Sequence, residues 1–157
     1  MFQSVRSAFS LIELIFVIVI IGILASVAIP KFTNLTSNSK ISSELSTASS
    51  VQSALDAVHG EWITNTCTFT WGNAQSSTTL NASGYPTSLD NGTQVFGNLF
   101  KTSVKDWEIY NCGAGKTCYK GPAGKSGSGV GDKAGKPDEG EYWEYNATTG
   151  SLTLIES

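Results

Sequence analysis

The sequence predicts an α+β fold: one long N-terminal helix, membrane-spanning in its first half, packed on a small antiparallel β-sheet. Two observations carry this. An apolar segment over residues 9–30 passes into an amphipathic pattern that lasts to about residue 60. From Gly60 the texture changes to short aromatic and β-branched runs separated by Gly, Asn and Ser.

The first half of the helix is defined by the run Leu14–Ile29, LIFVIVIIGILASVAI, which carries no charge. At about 1.5 Å per residue, residues 9–29 would span roughly 31 Å, close to the hydrocarbon thickness of a bilayer. Gly22 and Pro30 are its weak points and are read as the places for a kink. Pro30 has no N–H to give to Ser26, and its ring crowds the preceding turn. One carboxylate, Glu13, interrupts the apolar character near the start. An ionisable group inside a membrane segment costs up to roughly 2.5–3.5 kcal/mol on insertion scales, the value at the centre, so it marks function and needs a partner.

The second half, from about Phe32 to Glu61, places Ile41, Leu45, Ala48, Gln52, Leu55 and His59 at spacings of three to four, with Val51 and Val58 alongside. The stripe predicts a helix packed on a sheet. Its many Ser and Thr residues are mediocre helix formers, so tertiary packing must hold it. His59 reads as a packing or helix-terminal residue, because no nucleophile with an orienting acid is recognisable.

Beyond Gly60, Thr66–Trp71, Trp107–Cys112, Tyr142–Tyr145 and Ser151–Ile155 read as strands. Residues 146–150 are a hairpin turn between the last two. Val95–Val104 fits a strand or a short helix. Gly113–Gly140, rich in Gly and Lys with few apolar anchors, reads as a long loop. Trp62, Trp71, Trp107 and Trp143 are expected in the core or on the sheet.

The chain has 157 residues and a net charge of −3, which does not suggest a broad nucleic-acid-binding surface. Its low charge content and its Gly, Ser, Thr and Asn suit an exported, loop-rich domain. Cys67, Cys112 and Cys118 allow one disulfide in an oxidising compartment. Cys112 and Cys118 flank a turn-like GAGKT and are the favoured pair, although Cys67 can reach either. One His and three Cys without CxxC spacing do not make a zinc site. The GK[ST] tripeptides at residues 115–117 and 124–126 lack the glycine a phosphate loop needs, since Tyr110 and Tyr119 stand there. Asp132, Asp138, Glu139 and Glu141 form an acidic cluster that reads first as a solvated loop. They are also calcium candidates, though their order does not match an EF-hand. No acid/base pair or metal set points to an enzyme.

The sequence Ala8-Phe9-Ser10-Leu11-Ile12-Glu13-Leu14, followed by the apolar helix and Pro30, resembles the leader and N-terminal helix of type IV pilins and type II secretion pseudopilins. The motif covers about residues 1–32. The resemblance implies a leader over residues 1–8, cleaved between Ala8 and Phe9 by a prepilin peptidase that also methylates the Phe9 amine. Glycine usually precedes this cut; here Ala8, also small, stands there. An ordinary secretory signal is cut after its apolar region, whereas here the apolar run would stay in the mature protein. Arg6 and the initiator amine lie on the side that the positive-inside rule assigns to the cytoplasm.

Residues 9–30 would then be the transmembrane and filament-core half-helix, and 31–157 an exported globular domain. The resemblance further implies assembly through Phe9 and Glu13, with the glutamate paired to the Phe9 amine of a neighbouring subunit. In the family, helix positions like Gly22 and Pro30 bend or melt during packing, and variable loops shape the filament surface. The implied partners are the peptidase, other pilin or pseudopilin subunits, an inner-membrane assembly platform and the lipid bilayer. No cofactor is implied, except that some pseudopilins hold calcium in a C-terminal loop. The implied location is the inner membrane, then a periplasmic or cell-surface filament. The competing expectation is a single-span, membrane-anchored binding module, which needs neither Glu13 nor cleavage.

Overall fold

The computed structural model describes residues 9–65, 71–73, 76–78, 80–102, 104–113 and 115–156, with only the backbone for 71–73 and 76–78. The element order is a helix α1 (Leu11–Thr64) and strands β1 (Trp71–Asn73), β2 (Ser76–Thr78), β3 (Glu108–Tyr110), β4 (Thr117–Lys120), β5 (Tyr142–Asn146) and β6 (Ser151–Ile155). The α+β fold expected from the sequence is the one observed. The chain divides into two compact units, Met1–Thr36 and Ser37–Ser157.

In the first unit the helix starts at a Ser, a favoured residue for this position. The Ser10 carbonyl accepts from the N–H groups of Glu13 and Leu14, both at 3.1 Å. Gly22 and Pro30 do not end the helix. Near the proline, the Ser26 hydroxyl donates to the Ile23 carbonyl at 2.7 Å, and Thr33 Oγ1 donates to the Pro30 carbonyl at 2.9 Å.

In the second unit the helix buries Ile41, Glu44, Ala48, Val51, Leu55 and Val58. The predicted stripe included Leu45, which is 39% exposed, and omitted Glu44, which is wholly buried. The face is turned because the Glu44 carboxylate finds N–H donors inside the fold, described below. The helix ends where Asn65 donates to the Glu61 carbonyl from both its backbone N–H (3.0 Å) and its side-chain amide (2.8 Å).

Four strands form one antiparallel sheet in the order β3-β4-β5-β6, and β1 pairs with β2 separately. Register places Tyr119 opposite Trp143 and Trp143 opposite Leu154. This puts large apolar residues on one face, since alternate side chains of a strand share a face. That face, the helix residues Ala48, Val51 and Leu55, and the segment holding Leu89, Val95 and Phe96 make the main core. Trp107 packs edge-on to Phe96 at 5.1 Å between ring centroids.

The last hairpin has the predicted turn, closed by Gly150 N–H to the Asn146 carbonyl at 2.8 Å. Gly150 has φ 65° and lies against the Tyr85 ring, where a Cβ would collide. Three expectations need correction. Strand β4 and the buried Ala123, Val130 and Pro137 lie in the stretch read as an open loop. Val95–Val104 is neither strand nor helix; its described residues form turns in which Phe96 takes φ 56° and the Phe96 carbonyl accepts from Leu99 and Phe100. The strand read at Trp107–Cys112 is shorter, Glu108–Tyr110. In the strand read at Thr66–Trp71, residues 66–70 lie outside the described residues.

The burial pattern gives a direct test. Leu55→Ala is expected to lose about 2–5 kcal/mol of stability. Leu45→Ala should stay within about 0.5 kcal/mol. Urea unfolding followed by tryptophan fluorescence measures both. Equal losses would restore the face predicted from sequence.

Candidate functional site

The site suggested by the sequence lies at the start of α1. Ala8 is outside the described residues. Phe9 is 85% exposed, and Ser10 and Glu13 are exposed beside it. Glu13 sits in the first helical turn. A carboxylate there is favoured by the partial positive charge of the unbonded N–H groups. Behind it the large apolar side chains from Leu11 to Leu35 are exposed. An 18-residue window of this helix has mean hydropathy 3.0 and none of it is buried. By length and composition this is a helix able to cross a membrane. Contiguous apolar exposure on this scale marks a surface made to be covered by lipid or protein.

Carboxylates of the acidic cluster accept backbone N–H groups of their own loop. Glu139 accepts the N–H groups of Gly127 (2.6 Å) and Gly129 (3.1 Å). Asp138 accepts the Lys133 N–H at 2.8 Å, and Glu141 accepts the Asp138 N–H at 3.2 Å. Asp132 is exposed. Among the described residues no three His, Cys, Asp or Glu come together as a metal-holding group. The cluster therefore folds its own loop. The backbone N–H groups hold the Glu139 carboxyl below its ordinary value, whereas burial pushes the carboxyls of Glu141 and Asp90 up.

Cys112 and Cys118 are bonded, with Cα atoms 6.1 Å apart. The bridge ties the chain leaving β3 to β4 and closes the short loop between them. Cys67 lies outside the described residues. His59 stacks on Tyr85 at 4.5 Å and on Trp62 at 5.7 Å, a packing role.

Sequence reasoning missed Glu44. Its Oε2 accepts from Ala123 N–H (2.7 Å) and Gly124 N–H (3.2 Å), and its Oε1 from Trp143 Nε1 (2.8 Å). A Cβ on Gly121 would overlap the Glu44 carboxylate. The signal was present. Positions 41, 44, 48, 51, 55 and 58 form a regular helical stripe in which Glu44 is the one charged residue.

The geometry defines a class: an apolar, membrane-length helix carrying one first-turn carboxylate, on a chain whose later part folds as a helix-on-sheet domain. The family described as "Prokaryotic N-terminal methylation motif" matches residues 4–29. The chain is 39% identical over 89 residues to the type IV narrow pilus major component PilA5 of Thermus thermophilus, covering 55% of this chain and 74% of that one. It is 34% identical over 93 residues to the type IV major fimbrial protein FimA of Dichelobacter nodosus, covering 58% of this chain and 56% of that one. It is 38% identical over 66 residues to a fimbrial protein of Neisseria meningitidis, covering 40% and 39%. No solved structure matches the chain. The chain belongs to the type IV pilin family and carries its prepilin motif. It spans about half or less of the length of the Dichelobacter and Neisseria relatives.

The Glu139 bonds make a pH prediction. A lowered folded-state value means stability that is present above the ordinary 4.5 and is lost as pH falls through the lowered value. Glu139→Gln is expected to flatten the acid side of the thermal midpoint plotted against pH. Asp90 and Glu141, shifted upward, act in the opposite sense between their ordinary and raised values. An unchanged acid limb in Glu139→Gln would show that the Gly127 and Gly129 bonds do not matter in solution.

Proposed function

We propose that the protein is a structural subunit of a type IV pilus, processed after Ala8 and assembled through its N-terminal helix. The observation that carries this reading is the first turn of α1, where Glu13 stands at the head of an exposed apolar helix inside the matched motif. The matched relatives, all named as fimbrial or pilus components, support a pilus over a secretion pseudopilus. The role is structural rather than enzymatic.

Cleavage frees the Phe9 amine, and the peptidase methylates it. The subunit then waits in the inner membrane as a single-span protein with its later domain exported. Arg6, in the leader on the cytoplasmic side, sets this orientation on insertion, before cleavage removes it. An assembly platform draws the helix from lipid into a bundle of other subunits' helices. Apolar surface moves from one apolar surrounding to another, so it contributes little net driving force. Glu13 decides the register. Unpaired in a bundle, it would be a costly buried charge; opposite the Phe9 amine of a neighbour it is compensated. The pair thus rejects misaligned packing.

Two outcomes follow. N-terminal peptide mass analysis of protein from its native membrane should find a chain beginning at methylated Phe9. A chain still beginning at Met1 in cells with an active peptidase would remove the proposal. Separately, Glu13→Ala should insert at least as well as the parent, since the insertion cost of a charge, about 2.5–3.5 kcal/mol at the centre of a span and less near its end, disappears. It should lose most of its filaments, counted by electron microscopy of sheared fractions. Filaments at parental yield would sink the pairing with Phe9.

A further inference from the structure

Residues 91–94 form a tight turn. The Asn91 N–H donates to the Gln94 carbonyl at 3.1 Å, and the Gln94 N–H returns to the Asn91 carbonyl at 3.0 Å. Gly92, at the tip, is exposed and takes φ 61°, a conformation open to glycine. Among the described residues, neither the Gly92 N–H nor the Asn91 side-chain amide has a hydrogen-bond partner. The other placed asparagines differ. Asn34 lies inside α1, where helical bonding engages the N–H of the residue that follows it. The side chains of Asn38, Asn65, Asn81, Asn98, Asn111 and Asn146 are all hydrogen-bonded. Asn91 is also the one asparagine in the sequence followed by glycine.

We propose that Asn91–Gly92 is a self-modification site, where the folded turn converts asparagine to aspartate and isoaspartate with water as the co-reactant. The Gly92 nitrogen gives its proton to hydroxide, and its lone pair attacks Asn91 Cγ. The Cγ–Nδ2 bond breaks and ammonia leaves after taking a proton, which closes a five-membered succinimide. Water then adds to one of the two imide carbonyls. Opening at Cγ gives aspartate; opening at the backbone carbonyl gives isoaspartate, with the chain rerouted through Cβ and Cγ. No oxidation state changes.

Three features favour this bond over the others. Glycine has no Cβ to crowd the attack. Its N–H is not committed to a carbonyl. The asparagine amide is not held away by a partner.

The position gives the reaction a structural consequence. Asp90, the preceding residue, accepts the Phe96 N–H at 3.1 Å through Oδ1 and the Tyr119 hydroxyl at 2.9 Å through Oδ2. The Asn98 side chain donates to the Asp90 carbonyl at 2.8 Å. The 91–94 turn therefore closes the segment that sends Leu89, Val95 and Phe96 into the main core. Isoaspartate adds a backbone carbon inside this turn, so the two Asn91–Gln94 bonds cannot both keep their geometry. An aged subunit would differ from a new one at the Phe96–Trp107 contact.

The test uses the full chain, folded in detergent micelles, incubated in heavy-oxygen water from neutral to alkaline pH and mapped by peptide mass spectrometry. The expected result is incorporation at residue 91, faster than at any other asparagine and rising with pH. Asn91→Gln should abolish it while keeping the fold by circular dichroism. The aged parent should also differ from Asn91→Asp in tryptophan fluorescence, because the charge-only variant lacks the extra backbone carbon. Labelling at residue 91 no faster than at Asn111 or Asn146 would overturn the proposal. So would labelling that appears only after unfolding in urea, since the turn would then protect the bond.

Discussion

A carboxylate removed from water must have its oxygens occupied by donors, or the fold around it fails. Glu44 meets this demand with two backbone N–H groups from residues 123 and 124 and the indole N–H of Trp143. The consequences reach across the second unit. The backbone donors fix the loop after β4 to the helix, where Ile41, Ala123 and Val130 form a small second core. The indole donor fixes Trp143, a member of the main core, to the same side chain. The two cores are thus joined through one carboxylate. The glycine at 121 follows from it, because the carboxylate occupies the space that a Cβ would need.

The same logic organises the rest of that loop. It has few apolar side chains, so burial alone cannot hold it. Acidic side chains compensate by accepting backbone N–H groups: Glu139 from Gly127 and Gly129, Asp138 from Lys133, and Glu156 from Gly135 at 2.8 Å. Lys40 and Lys133 add ties from or to the helix, reaching the Ser128 carbonyl and the Asn38 side chain. Surface ion pairs such as Lys116–Glu144, 2.7 Å apart, contribute less, because water screens them and holding the side chains costs entropy.

This explains what was legible in the sequence and what was not. The apolar helix, the β5–β6 hairpin and its turn depend on local pattern, and local pattern shows them. Strand β4 is only four residues, TCYK, between glycine-rich stretches, and its place is fixed by pairing with β3 and β5. Such pairing has no local signature. The helix face was misread by one position because Leu45 is apolar and Glu44 is charged. Only donors from residues 123, 124 and 143, far along the chain, make the glutamate the buried one. The acidic cluster reads first as a solvated loop for a related reason. Composition records that carboxylates are present, whereas the backbone N–H groups they accept appear only once the loop is folded.

Glu13 and Glu44 pose one physical problem with two solutions. Both are carboxylates set among apolar side chains of the same helix, Glu13 in the apolar half and Glu44 on the buried face of the amphipathic half. Glu44 is buried, and the chain itself supplies its donors. Glu13 is exposed at the head of a helix whose large apolar side chains are exposed among the described residues. A glutamate satisfied internally carries information about its own fold. A glutamate left open at the head of an apolar helix carries information about what must approach it. A cation brought by a second helix would complete Glu13 as Trp143 and the 123–124 backbone complete Glu44. Covering the apolar surface alone would not, because hydrocarbon has no donors to offer a carboxylate.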